Sequence, residues 1–60
     1  MKYLIYDHLA EAWVKGNEGK LTYTEHRREA MRFRTQKDAE KFIRSIGSKG
    51  ANMKILETEE

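Results

Sequence analysis

Four apolar residues in the second half of the chain, Ala39, Phe42, Ile43 and Ile46, recur at the i, i+3, i+4, i+7 spacing that lines one stripe of a helix. Lys37, Glu40, Lys41, Arg44 and Ser45 fall on the other side, so one face is committed to a core and the other to water. The spacing predicts a helix over about 36–46. Thr35 stands where an N-cap belongs, its hydroxyl placed to accept from the backbone N–H of Asp38, whose carboxylate favours the positive end of the helix dipole. Gly47 supplies the stop, because glycine adopts the left-handed conformation that commonly closes a helix.

A chain of 60 residues makes one domain with one small core. It has no cysteine, so neither a disulfide nor a thiolate metal site reinforces it, and stability must come from packing or from a partner. The longest apolar stretch near the start is LIY, far shorter than a signal-peptide core or a membrane span, and neither end carries a lipidation pattern. The expectation is a soluble cytoplasmic protein with no membrane partner.

Three strands are expected before the helix. Residues 2–8, KYLIYDH, place Tyr3 and Ile5 on one face and Leu4 and Tyr6 on the other. EAWVK can pair through the turn GNEG with KLTYT, in which Leu21 and Tyr23 alternate with Lys20, Thr22 and Thr24. The same LAEAWVK residues are good helix formers, so propensity leaves a helix open for that segment. A last strand over 52–58 puts Met53 and Ile55 inward, and the Glu-rich tail should fray. Residues 24–34 fit either a single helical turn capped by Thr24, burying Ala30 and Phe33 and leaving the arginines outside, or a strand running from Leu21 to Arg34. The expected fold class is α+β: a three- to four-stranded antiparallel sheet with one main helix packed on one face.

The pattern T-E, four residues, A-M-R-F-R-T, three residues, A-E-K-F-I resembles small bacteriophage and prophage proteins. The matching positions are Thr24, Ala30, Phe33, Thr35, Ala39, Phe42 and Ile43, and with the N-terminal strand and the last strand that the pattern also includes, the likeness covers about two-thirds of the chain. It implies a phage setting, with host takeover or inhibition of host defence among the roles, action in the host cytoplasm, and no catalytic residue to carry over. A second similarity joins F-R-T-Q-K-D-A-E-K-F-I to the small RNA–DNA hybrid-binding domain of some ribonucleases H. GNEGKLTYT has no counterpart to that domain's glycine-rich aromatic strand, and no binding residue is carried across.

The residues offer little for catalysis. His8 and His26 lie eighteen positions apart with no cysteine to complete a metal site. Ser45 and Ser48 flank a helix end rather than a nucleophile elbow, and GNEG and GSKG lack the strand–loop–helix context of a phosphate cradle. No enzyme activity, metal or cofactor is expected.

Charge placement is more informative than the net +2: residues 20–44 carry eight basic against four acidic side chains, whereas residues 1–19 and 45–60 each come to −1. Arg27, Arg28, Arg32 and Arg34, with Lys20 and His26 near, therefore form a candidate basic patch for an acidic protein surface or for phosphates. Four acids nearby, Glu25, Glu29, Asp38 and Glu40, could instead pair with these cations on an ordinary solvated surface. Trp13 and Tyr6 complete the candidate binding set, because Trp, Tyr and Arg are the usual interface anchors. With the helix on one face, Leu4, Tyr6 and Trp13 are expected to form an exposed apolar strip on the other, open to a partner or to a second copy in a homodimer. The functional expectation is a non-catalytic binding protein that docks on a host protein to inhibit or redirect it. Alternatives are a nucleic-acid binder and a homo-oligomeric structural accessory.

Overall fold

A computed structural model describes residues 1–16 and 21–59. Strands β1 (Lys2–Asp7), β2 (Ala12–Gly16), β3 (Thr22–Thr24) and β4 (Met53–Thr58) form one antiparallel sheet in the order β3-β2-β1-β4. Helix α1 (Gln36–Ser45) follows a 3-10 turn at Arg27–Glu29 and precedes a second at Gly47–Asn52. The expected α+β class is observed with four strands. Residues 11–15 are largely strand rather than helix, and residues 24–34 take the single-turn alternative. Most of the GNEG turn, Lys20 and Glu60 lie outside the described residues.

The helix forms where its spacing places it. Thr35 Oγ1 accepts from the Asp38 amide at 3.1 Å, and Gly47 at φ 65° ends the helix in the left-handed region. Thr35→Ala is expected to cost about 1 kcal/mol, read as a lower urea midpoint, with Thr35→Ser close to the parent. Gly50 is required for a different reason: a Cβ there would sit 2.6 Å from Ile43 Cγ2 and 2.8 Å from Ile43 O, so the second 3-10 turn packs directly on the helix end.

Ile5, Val14 and Ala39 are fully buried at the centre of the helix side, with Tyr3, Leu21, Phe33, Phe42, Ile43, Met53 and Ile55 packed around them. Strand alternation supplies this face, since Ile5 stands opposite Ile55, and Val14 opposite Tyr23.

The pairing of β1 with β2 is limited to Tyr6 with Trp13 and Asp7 with Ala12; beyond these the strands separate. Residues 31–33 fill the opening. Met31 N donates to Val14 O at 2.9 Å, while Tyr3 and Phe33 exchange two main-chain bonds of 2.9 and 2.8 Å. The inserted segment satisfies main-chain groups that strand separation would leave unpaired. It also carries the chain between faces: Arg27 lies over Trp13 on one side, and α1 packs against Ile5 and Val14 on the other.

That passage corrects the expected exposed strip. Leu4 faces away from the helix, opposite Leu56, yet is 0 % exposed, and Tyr6 and Trp13 are half-buried. The far side of the sheet is partly covered, because the 27–30 segment crosses it before entering the opening.

Candidate functional site

Register assigns the far face residue by residue: Lys2, Leu4 and Tyr6 from β1, Trp13 from β2, Thr24 from β3, and Lys54, Leu56 and Thr58 from β4. None of these strand positions is acidic. The acids of β1 and β4, Asp7 and Glu57, both alternate to the helix side. The far face is therefore more basic than the chain as a whole.

A row of rings crosses this face. His8, just past the end of β1, meets the Tyr6 ring edge-on at 5.1 Å between centroids, because residues two apart on an extended chain share a side. Tyr6 meets Trp13 at 5.0 Å, also edge-to-face, because the two are directly paired across β1 and β2. The Arg27 guanidinium carbon lies 5.9 Å from the Trp13 ring centroid, within the range of cation–π attraction. Lys54 stands opposite Tyr6 on β4 and is exposed.

Hydrogen bonds hold the turn that presents Arg27. Thr24 Oγ1 accepts from His26 N at 3.1 Å and donates to Glu29 Oε1 at 2.9 Å. The Glu29 carboxylate is thus engaged at the base of the turn. Arg32 Nη1 donates to the carbonyls of Arg28 and Ala30, each at 3.0 Å. Thr24 shapes the turn as expected, but its hydroxyl serves His26 rather than acting as a helix N-cap, a position held by His26 with no side-chain bond.

The six candidate residues separate into distinct environments. Tyr6, Trp13 and Arg27 come together. Arg28 is exposed on the same 3-10 turn, Arg32 fastens that turn's carbonyls, and Arg34 is exposed just before the helix cap. His8 and Lys54 join the site without having been singled out. Their signal was present in alternation: His8 is two residues beyond Tyr6, and Lys54 lies between the inward Met53 and Ile55.

A second polar cluster sits on the helix side. Asp7, 4 % exposed, accepts from Leu9 N at 2.8 Å and Ala10 N at 3.2 Å through Oδ1, and from the Tyr23 hydroxyl at 2.8 Å through Oδ2. Burial pushes its carboxyl up, but the Tyr23 bond, the Ala10 and Leu9 amides and the nearby His8 outweigh burial and leave it below the ordinary value. Burial, the bond to Asp7 and its charge push the Tyr23 hydroxyl up to about 12. This pair fixes the β1–β2 turn, where Glu11 adopts φ 54°, and binds β3 to β1 across β2.

Among the described residues, no group of three or more His, Cys, Asp or Glu is placed to hold a metal ion. No described helix is long and apolar enough to cross a membrane. No family model matches the chain, and no similar curated protein or solved structure was found.

Proposed function

We propose that this chain is a non-catalytic binding module whose working surface is the sheet face bearing Tyr6, Trp13 and Arg27, and whose partner is an anionic macromolecule. The supporting observation is the seat of Arg27 over Trp13, beside Tyr6, on a face whose strand positions include Lys2 and Lys54 and no carboxylate. Trp, Tyr and Arg are effective anchors because each brings a large contact area together with a polar or cationic group. Backbone strands carry Tyr6 and Trp13, and side-chain bonds hold the turn bearing Arg27, so little ordering entropy remains to oppose binding. The resemblance of the 24–43 pattern to small phage proteins supports reading the partner as a host macromolecule that the module occupies.

Two double variants with the same charge change test the face. Arg27→Glu with Lys54→Glu reverses charge on the far face, and Lys37→Glu with Lys41→Glu reverses it on the helix's solvent side. On an immobilised polyanion, the first pair is expected to elute at markedly lower salt than the second, with both keeping the parent's circular dichroism. Equal shifts would mean that binding follows net charge and that this face is not the site.

A further inference from the structure

The row formed by His8, Tyr6, Trp13 and Arg27 crosses the paired strands, with successive separations of 5.1, 5.0 and 5.9 Å. Lys54 flanks it at the Tyr6 position, and Lys2 lies farther along β1 on the same face. We propose that this row is a single-stranded nucleic-acid site, in which bases stack on Tyr6 and on the joined Arg27–Trp13 pair while Lys54, Lys2 and the guanidinium edge of Arg27 meet phosphates. The proposal rests on the anionic-partner reading and adds the partner's chemistry.

Three features favour this partner over an acidic protein patch. Aromatic and guanidinium groups accept any base because every base has a π-face, and two of these rings come from adjacent paired strands. Cations lie beside the rings, as required for a ligand whose flat apolar groups alternate with a charged backbone. The strand carboxylates Asp7 and Glu57 stand on the opposite face, and the Glu29 carboxylate on the turn is engaged by Thr24 Oγ1, which limits repulsion along the path of the strand. The half-buried state of Tyr6 and Trp13 suits such a site, since each ring is held by its neighbours and is still partly exposed. A row of this kind accommodates about two or three bases, and a duplex, whose bases are already stacked on one another, cannot use it.

Trp13 is the chain's single tryptophan, so its fluorescence reports on the site itself. The experiment titrates the full chain at low salt with a mixed-sequence DNA oligonucleotide of about ten nucleotides, its duplex, and polyglutamate. Saturable quenching by the single strand is expected, with weaker binding to the duplex. Engagement of three cations predicts a log–log salt slope of about −2, and Arg27→Gln should reduce it by about 0.7. Tyr6→Phe should retain affinity, whereas Tyr6→Leu should lose about tenfold to a hundredfold. Arg27→Lys should fall between the parent and Arg27→Gln, because it keeps the charge and loses the plane.

Equal affinity of Tyr6→Leu and the parent would overturn stacking, as would equal binding of duplex and single strand. Response to polyglutamate without response to the oligonucleotide would remove the nucleic-acid inference and leave the binding-module reading standing. Failure of both polymers to perturb Trp13 would remove both. If Tyr6→Leu loses its folded circular dichroism, the Arg27 variants on the exposed turn decide the question by slope and affinity.

Discussion

Asp7→Ala is expected to cost about 3 kcal/mol, because one substitution removes the acceptor for two turn amides and for the Tyr23 hydroxyl. A domain of this size has roughly 3–9 kcal/mol to lose, so the variant should sit near the edge of folding. Asp7→Asn should be milder, since its carbonyl can still serve the amides and its amide can donate to Tyr23. The parent's pH profile follows from the same pair. Asp7 has a depressed folded-state value, so its contribution is present above the ordinary value of 3.8 and is lost as pH falls through the folded value. Tyr23 is raised from 10.0 to about 12, so its contribution is complete below 10 and is lost as pH rises toward 12. Tyr23→Phe should abolish that alkaline loss and, by leaving burial less opposed, move the acid loss to higher pH. Urea midpoints measured from pH 2 to 12 read both limbs; an unchanged alkaline limb in Tyr23→Phe would rule out this origin.

The elements that were legible in the sequence are those whose information is local. The helix carried its period, its threonine cap and its glycine stop within thirteen residues, Thr35 to Gly47, and appears over Gln36–Ser45. The alternation of β1 and β4 likewise placed Tyr3, Ile5, Met53 and Ile55 inward. What was not legible depended on register between distant strands. Asp7 and Tyr23 are sixteen residues apart and meet only because β3 pairs with the outer side of β2. The separation of β1 from β2, and its filling by residues 31–33, has no periodic signature: the sequence pattern shows Phe33 as apolar but not that its main chain pairs with Tyr3. The candidate site was half legible for the same reason. Residue type pointed to Tyr6, Trp13 and the arginines, but only the route of the turn determines that Arg27 reaches Trp13 while Arg32 binds the turn's own carbonyls.

Leu4→Ala makes that route testable, and its expected cost is about 2–5 kcal/mol, comparable with a central core position despite its place away from the helix. An open sheet face would give a much smaller penalty, because an exposed leucine loses little on truncation. The difference arises from complete burial opposite Leu56, on the side crossed by the 27–30 segment. Removing three side-chain carbons should leave a cavity that its surroundings close only partly, so the loss includes missing packing as well as missing transfer energy. Leu56→Ala, at a half-buried position on the same face, should cost less. Urea unfolding of the two variants gives the comparison directly. A Leu4→Ala cost below about 1 kcal/mol would show that the face is open and that the turn does not rest on it. The expected large cost instead ties stability to the surface proposed to bind, because Leu4 is buried on the same sheet face on which Arg27 lies over Trp13.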